Sequence, residues 1–296
     1  MKDIPQNVNH IKHQQLLASD YDIEVAFLEG MATRFIGFHK TTAKKVAWVH
    51  TDLLNLHWTK RYFENDREEE RCYSLFDKIV FVSGNALVNF EKLFTVDTPK
   101  LVVHNPIDKK TIVQKSKETV NKDTFTICSV NRLIDHKRVD LLINAVSLLK
   151  ADGIDFELWI VGEGDERENL NLLVKTNGLE KHVVFHGFKE NPYPYMRTAD
   201  IFAITSKAEG MSLVVCEALC LGKPIISSNV MGLAELLDNG RYGMLVEQSE
   251  KEVYEGMKRL ISDKALCADY EQRALERAEM FNKEKIMNEV YEVINF

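Results

Sequence analysis

Short hydrophobic runs rich in β-branched residues alternate with segments of helical periodicity along most of the chain. This alternation is typical of βα units that build a parallel sheet. The first part of the sequence predicts strands that begin at Ile23, Lys45, Lys78 and Lys100. The second part predicts strands that begin at Thr124, Phe156, Val183, Ile201, Pro224 and Gly243. The predicted fold class is therefore α/β.

A charged stretch separates the two series of strands and predicts two domains. We expect an N-terminal domain over residues 1–107, a linker over 108–122, a C-terminal domain over 123–282 and a closing helix over 283–296. The second series is long enough for a complete doubly wound domain. The first series is shorter and lacks a glycine-rich opening turn. Ligands of open α/β sheets sit at the carboxyl ends of the strands, so two such domains facing each other predict a cleft between them.

Composition narrows the class of protein. The chain has 296 residues, of which 45% are hydrophobic and 28% charged, with a formal net charge of -7. This acidic balance argues against nucleic-acid binding. The five cysteines are odd in number and form no CxxC pair, so neither a disulfide framework nor a zinc site is supported. The start of the sequence lacks the apolar core of a signal peptide, and no stretch reaches the roughly 20 apolar residues that span a bilayer, so we expect a cytoplasmic protein.

The segment EGMSLVVCE places the carboxylates of Glu209 and Glu217 around the start of an apolar helix. The run SLVVCEALCLG has no polar face, which predicts a helix of about ten residues that is buried on all sides, with Glu217 in its second turn. A carboxylate there needs hydrogen-bond partners, and a ligand rich in hydroxyls would supply them. Glu209 alone is more typical of a solvated loop acid. Gly210 permits close backbone approach, and the amides that follow it form a helix N-terminus suited to an anion. These amides belong to Met211, Ser212 and Leu213.

Cations follow the first strand of the C-terminal domain. Arg132 and Lys137 come just before a helix, directly after Asn131 has ended the strand. Positive charge is unfavourable at a helix N-terminus unless an anion binds there, so the two cations predict a phosphate clamp. The alternative is that they are surface residues paired with Asp135 or Asp140.

Three other strand ends carry candidate residues. Gly162 and Gly164 open a strand-to-helix turn, but Arg167 occupies the place of the third glycine in a dinucleotide fingerprint, so an NAD site is a weak interpretation. His186 is compatible with facing a nucleobase or with a hydrogen-bonded core or loop position. His50 ends an apolar strand of the first domain, where it is either a hydrogen-bond donor or base near neutral pH or a satisfied core histidine.

Four stretches of the second half resemble the retaining glycosyltransferases called group 1, or family four, which have the GT-B fold. They read NRLIDHKRVDLLINA, IVGEGDER, VVFHGFKENPYPYMRTADIFAITSKAEGMSLVVCEALCLGKPIISS and GLAELLDNGRYGMLV. The resemblance is dense from about Phe125 to Val246. It implies two Rossmann-like domains facing across a cleft. The first domain is expected to be incomplete, because family members normally begin with a strand, a glycine-rich loop and a long helix; about 70 such residues would be missing before Met1.

The resemblance implies transfer of a sugar from a nucleotide-diphosphate sugar to a saccharide or lipid-linked acceptor, with retention of anomeric configuration, in cell-surface polysaccharide biosynthesis. No cofactor and no metal are expected. Arg132 and Lys137 would hold the diphosphate, and Glu209 would lie beside the donor sugar. Glu217 would bind the ribose hydroxyls, and His50 would lie near the sugar and the acceptor. The other residues expected in the donor site are Asn131, Gly162, His186, Gly210, Met211, Ser212 and Leu213.

Membrane contact and two other classes of function stay open at this point. The segment HWTKRYF, from His57, mixes aromatic residues with Lys60 and Arg61. It is compatible with a peripheral contact to anionic lipid of the inner membrane or with an ordinary amphipathic helix start. A truncated relative that binds a nucleotide sugar or a partner protein without transferring anything is the main alternative function. A nicotinamide-dependent oxidoreductase is disfavoured by the broken glycine pattern.

Overall fold

The computed structural model describes residues 21–295. The chain forms two compact units. Among the described residues, the first unit comprises 21–82, 86–103 and 290–295, and the second comprises 83–85 and 104–289. No helix within this part of the chain is both long enough and apolar enough to cross a membrane.

The first unit contains a parallel sheet whose described strands lie in the order β1-β2-β3-β4. They span Ile23–Ala26 (β1), Lys44–Val49 (β2), Lys78–Phe81 (β3) and Lys100–Val102 (β4). The helices of this part of the chain are Met31–Phe38 (α1), Asp66–Tyr73 (α2) and Gly84–Leu93 (α3), with a 3-10 helix at Trp58–Tyr62. Nearly all of β2 and β3 is buried, as expected of parallel strands covered on both faces. The four predicted strands are confirmed.

The second unit is a doubly wound domain with a parallel sheet in the order β10-β9-β8-β5-β6-β7 over the described residues. Its strands span Thr126–Val130 (β5), Glu157–Val161 (β6), Val183–Gly187 (β7), Ile201–Ile204 (β8), Ile225–Ser228 (β9) and Met244–Val246 (β10). Its α-helices span Lys109–Lys115 (α4), Val139–Ala151 (α5), Arg167–Thr176 (α6), Tyr193–Thr198 (α7), Leu213–Cys220 (α8), Met231–Leu236 (α9), Glu250–Ser262 (α10) and Lys264–Ala278 (α11). Short 3-10 helices lie at Asp135–Lys137 and Glu279–Phe281. All six strands predicted for this domain are confirmed.

Hydrophobic periodicity explains how the second unit closes its core. Helix α5 turns Leu142, Val146 and Leu149 inward, and all three are fully buried in the main cluster of the unit. The same cluster includes Leu158 and Ile160 from strand β6. This packing fixes the strand ends, and with them the loops that carry the candidate site.

The segment expected to be a linker contains a helix. Helix α4 begins after Asp108, whose carboxylate accepts a hydrogen bond of 3.0 Å from the main-chain N–H of Thr111, and it buries Ile112. The cap and the buried apolar residue outweigh the charged composition that favoured a linker. The compact units divide after Val103 rather than after residue 107. The predicted closing helix spans Lys283–Ile294 (α12), and its last turn clusters with the first unit.

Candidate functional site

The candidate site lies where strands β5 and β8 run side by side. The chain passes from β5 through β6 and β7 before it returns to pair β8 with the other side of β5, in the register Ile127 to Ile201. This is the topological switch point of the sheet, where open α/β folds bind their ligands. Two loops leave this point together, residues 131–138 after β5 and residues 205–212 after β8. We call them the switch-point loops.

Hydrogen bonds join the switch-point loops directly. The main-chain N–H of Lys207 donates to the carbonyl of His136 at 2.8 Å. The hydroxyl of Thr205 donates to the carbonyl of Arg138 at 2.7 Å. On the outer side the Lys207 ammonium pairs with the Asp135 carboxylate at 2.7 Å. The relative position of the two loops is therefore fixed before any ligand arrives.

Lys137 and Glu209 form an ion pair between these loops. The ammonium and the Oε1 atom lie 2.6 Å apart, and the side chains are 15% and 11% exposed. The hydroxyl of Ser206 donates to the same carboxylate oxygen at 2.7 Å. The interpretation of Glu209 as a solvated loop acid is wrong, because the register of β5 against β8 brings Lys137 over it.

The alternative pairing of the two cations with nearby aspartates is also wrong. Asp140 pairs with Arg138 at 3.0 Å, and Asp135 is taken by a lysine of the other loop. Arg132 is exposed and has no hydrogen-bond or ion-pair partner within residues 21–295. One cation of the proposed clamp is thus held by a carboxylate, and the other is available to an anion.

Asn131 and Gly162 set the backbone under Arg132. The Asn131 side-chain amide is buried and donates to the Ser129 hydroxyl at 2.7 Å, and its main-chain N–H donates to the Val161 carbonyl at 3.0 Å. Gly162 has φ +139°, and a Cβ there would lie 1.8 Å from the Asn131 carbonyl oxygen. Only glycine permits this approach.

Gly164 has a similar packing role. A Cβ on Gly164 would lie 2.3 Å from the Leu133 carbonyl oxygen. Arg167, in the third position of the glycine pattern, pairs with Glu163 at 2.9 Å. Backbone packing against the loop after β5 therefore accounts for both glycines without a dinucleotide, which removes the motif on which the oxidoreductase alternative depended.

The start of helix α8 ends the loop after β8. The helix begins at Leu213 with Ser212 as its N-cap, and Met211 is buried, its sulfur accepting from the main-chain N–H of Asn105 at 3.2 Å. The helix has eight residues and is not buried on all sides, since Leu213 is 49% exposed. Leu213 is the residue of the first turn that is exposed, whereas Val215 and Cys216 are fully buried.

A glycine that sequence reasoning missed supports this loop. A Cβ on Gly232 of helix α9 would lie 2.1 Å from the Glu209 carbonyl oxygen and 2.4 Å from that of Gly210. The close approach of the backbone at Gly210 to helix α9 therefore depends on the missing side chain of Gly232 as well. The run GLAELL contains the signal, but sequence alone does not say which backbone that glycine meets.

Glu217 of helix α8 is half-buried and has a tyrosine partner. The Tyr193 hydroxyl, at the start of helix α7, donates to its Oε1 atom at 3.1 Å. Burial raises the pKa of Glu217, and the hydrogen bond from Tyr193 opposes that shift. Burial and the nearby carboxylate raise the pKa of Tyr193 to about 12, so its hydroxyl remains a donor. Tyr193 is a second residue that sequence reasoning missed.

His186 lies in an aromatic cluster at the end of β7. Its ring centroid is 5.3 Å from that of Trp159 and 4.6 Å from that of Tyr195. Its Nε2 atom is buried without a hydrogen-bond partner within the described residues. Burial and the nearby Lys189 lower the pKa of His186, so the ring is neutral at pH 7. Contact with a nucleobase stays a prediction.

His50 belongs to the first unit. Its main-chain N–H donates to the Glu29 carboxylate at 2.9 Å, and burial lowers the pKa of its imidazole. The other predicted site residues belong to the second unit. No group of three or more His, Cys, Asp or Glu side chains suited to a metal ion occurs within residues 21–295.

Comparison with known protein families identifies the class of protein to which this fold and the switch-point site belong. A family model described as glycosyl transferases group 1 matches residues 110–277. The match covers more than half of the chain, and it includes both switch-point loops and helix α8. The chain belongs to the group 1 glycosyltransferases.

Individual relatives agree with this family. The Campylobacter jejuni N-acetylgalactosamine-N,N'-diacetylbacillosaminyl-diphospho-undecaprenol 4-alpha-N-acetylgalactosaminyltransferase is 36% identical over 72% of this chain and 59% of its own length. The O-antigen biosynthesis glycosyltransferase WclY of Escherichia coli is 33% identical over 55% of this chain and 46% of its own length. The chain thus spans no more than about 60% of the length of the curated relatives it matches first.

Solved structures confirm the predicted GT-B-like α/β fold. HepE of Anabaena, crystallised in complex with UDP, superposes with a TM-score of 0.80 at 19% identity and covers 96% of this chain and 81% of its own. TarM superposes with a TM-score of 0.80 at 17% identity, over 97% of this chain and 57% of its own. At these identities the likeness extends to the fold alone.

Proposed function

We propose that this protein transfers a sugar from a nucleotide-diphosphate sugar to a saccharide or lipid-linked acceptor, with retention at the anomeric carbon. The observation that carries the proposal is the Lys137–Glu209 ion pair, which holds an ammonium at the switch point beside the unpartnered Arg132. A nucleoside diphosphate that leaves the donor sugar gains negative charge. Two cations beside its oxygens, of which Lys137 is held in place by Glu209, would stabilise that charge more in the transition state than in the bound donor.

Helix α8 adds to this stabilisation. Its first main-chain N–H groups, at Leu213 and beyond, follow a loop that also contains Glu209. Such amides and the positive end of the helix dipole favour an anion without any reorganisation. Together with Arg132 and Lys137 they would perform the task of a metal ion. We therefore propose that transfer needs no metal, and we expect EDTA to leave the rate unchanged.

Glu217 is proposed to bind the ribose of the donor nucleotide. Its carboxylate already accepts one hydrogen bond from Tyr193, and the remaining lone pairs can accept from two neighbouring ribose hydroxyls. The tyrosine fixes the carboxylate in one orientation before binding. His50 is proposed to lie near the donor sugar and the acceptor, and His186 near the nucleobase.

The relatives suggest the setting of the reaction. Their names describe transfer of N-acetylgalactosamine to a diphospho-undecaprenol-linked sugar in one case and O-antigen biosynthesis in the other. We propose that this chain likewise takes part in the assembly of a cell-surface polysaccharide, from the cytoplasmic side of the membrane and in peripheral contact with it.

A transfer assay tests the proposal. Radiolabelled uridine and guanosine diphosphate sugars are offered with bacterial membranes, and calorimetry measures the binding of UDP and GDP alone. Transfer together with nucleotide binding is the expected result, and NMR of the product tests retention. Binding without transfer would support the alternative of a non-catalytic relative. Binding of neither nucleotide would refute both.

Arg132→Ala tests the role of the free cation. Because the leaving diphosphate carries more charge than the bound donor, we expect kcat to fall about 10- to 100-fold and the donor KM to change much less. An equal rise in KM with kcat unchanged would show that Arg132 contributes only to binding.

A further inference from the structure

Two buried polar atoms without partners lie at the carboxyl ends of strands β1 and β2 in the first unit. Glu29 is 1% exposed; its Oε2 atom accepts from the main-chain N–H of His50 at 2.9 Å, and its Oε1 atom has no partner within residues 21–295. The Nε2 atom of His50 is also buried and without a partner in the described chain. A buried carboxylate oxygen and a buried ring nitrogen left without partners are costly, and such atoms mark places where a ligand completes the hydrogen bonding.

Both atoms are hydrogen-bond acceptors. The main chain of Phe27 favours a proton on the imidazole of His50, whereas burial opposes it and lowers the pKa. In the neutral ring that carries its proton on Nδ1, the buried Nε2 atom is a hydrogen-bond acceptor. Burial lowers the pKa of the ring and keeps it neutral, so Nε2 presents a lone pair. Glu29 and His50 follow the neighbouring strands β1 and β2 and are joined by a hydrogen bond, so their two acceptors call for hydroxyl donors, and the negative charge of Glu29 disfavours a phosphate.

An exposed aromatic ring stands next to these acceptors. The ring centroid of Phe27 is 5.0 Å from that of His50, and the Phe27 side chain is 62% exposed. A sugar ring has an apolar face and a rim of hydroxyls. An aromatic surface beside hydroxyl acceptors matches both parts of such a ligand.

We propose that Phe27, Glu29 and His50 form a binding site for a neutral sugar of the acceptor, with Glu29 Oε1 and His50 Nε2 accepting from two of its hydroxyls. The inference rests on the proposed function and adds Glu29 and Phe27 to it. The residues proposed for the donor nucleotide all belong to the second unit, whereas Phe27, Glu29 and His50 belong to the first.

Glu29→Gln is the central test. The amide oxygen can keep the hydrogen bond from the His50 main chain, whereas an NH₂ group replaces the acceptor at Oε1. The probe is a panel of p-nitrophenyl glycosides of glucose, galactose, N-acetylglucosamine and N-acetylgalactosamine, with binding followed by saturation-transfer NMR. We expect the wild-type protein to bind at least one glycoside, Glu29→Gln to bind it about tenfold more weakly, and thermal stability to stay equal or rise. Phe27→Ala should also weaken the glycoside.

A carboxylate within strand β1 supplies the matched control. Glu24 is similarly buried, but it is paired with His39 at 2.8 Å. Glu24→Gln should lower thermal stability and leave glycoside binding unchanged. If Glu29→Gln behaves like Glu24→Gln, the role of Glu29 is structural and the proposal fails. It also fails if no glycoside binds to the wild-type protein.

Nucleotide binding separates this inference from the function on which it rests. Calorimetry with UDP and GDP reports on the second unit and should be the same in the wild-type, Glu29→Gln and Phe27→Ala proteins. If nucleotide binding is intact but neither substitution changes glycoside binding, the proposed acceptor site is wrong and the donor proposal stands. Glycoside binding that depends on Glu29 in a protein that binds no nucleotide overturns the donor proposal instead.

Discussion

Replacing Lys137 by methionine removes one charge of the switch-point ion pair and keeps a side chain of similar length. Among the residues that the structure describes, Glu209 would then retain only the hydroxyl of Ser206 as a partner. Removing one member of a fully buried pair costs about 3–5 kcal/mol, whereas exposed pairs contribute about 0–1 kcal/mol. With exposures of 15% and 11%, this pair lies close to the buried limit. We expect the free energy of unfolding to fall by about 2–3 kcal/mol.

Lys207→Met is the matched control. Lys207 pairs with Asp135 at 2.7 Å and joins the same two loops, but these side chains are 44% and 79% exposed. Its loss should cost less than about 1 kcal/mol. Urea unfolding of both variants compares two lysines with nearly equal pair distances and very different burial. Equal costs would refute the argument that burial makes the Lys137–Glu209 pair important.

Glu209→Gln separates stability from function. In a double-mutant cycle with Lys137→Met we expect a coupling energy of about 1–2 kcal/mol. For the binding of UDP, the two single substitutions should act in opposite directions. Lys137→Met removes a phosphate ligand and should weaken UDP about tenfold or more. Glu209→Gln removes a negative charge beside the proposed diphosphate and should tighten UDP about fivefold, or about 1 kcal/mol. Weaker UDP binding in both variants would mean that the pair only holds the loops together.

Two further substitutions test the residues that support the site. Tyr193→Phe removes the hydrogen bond that lowers the pKa of Glu217, so that pKa should rise further. Because ribose binding requires the carboxylate, the affinity for UDP should then begin to fall at a higher pH than in the wild type as the pH is lowered. Calorimetry between about pH 5 and 8 measures this, and an unchanged pH dependence would contradict the role of Glu217. Gly162→Ala should lower the free energy of unfolding by more than about 2 kcal/mol, because its Cβ would meet the carbonyl of Asn131. Gly153→Ala, at φ +71° with nothing within 4 Å of its Cβ, should lower it by only about 1 kcal/mol. Equal losses in urea unfolding would exclude the close contact as the cause.

Sequence patterns were sufficient to predict the strands. Strand β5 and its neighbours are rich in hydrophobic and β-branched residues, because both faces of a parallel sheet are buried, and glycine or proline interrupts the chain near their ends. The rule that ligands bind at the carboxyl ends of strands then placed Arg132, Lys137 and Glu209 correctly in the two switch-point loops. Helix α4 was missed because its charged composition resembles a linker, although Asp108 at its start is a recognisable cap.

The contacts within the site could not be predicted from spacing. Asp135 and Asp140 are nearest to Lys137 in sequence, yet its partner is Glu209, because the register of β5 against β8 decides which loop atoms meet. The partner of Glu217 comes from helix α7, more than one element earlier in the chain. Local patterns specify elements, whereas these side-chain pairs depend on how whole elements pack.

The two cations of the clamp start from different states, although both are proposed to stabilise the departing diphosphate. Arg132 has no partner in the described chain, so a diphosphate can bind it without breaking any existing contact. Lys137 is already held by Glu209, so its ammonium is positioned in advance and gains most when charge accumulates on the departing phosphate. A site of this kind binds the free nucleoside diphosphate more tightly than the donor, because the free form carries the additional charge. That preference is the same differential stabilisation that would accelerate departure of the leaving group, so product affinity and catalysis depend on one arrangement of residues.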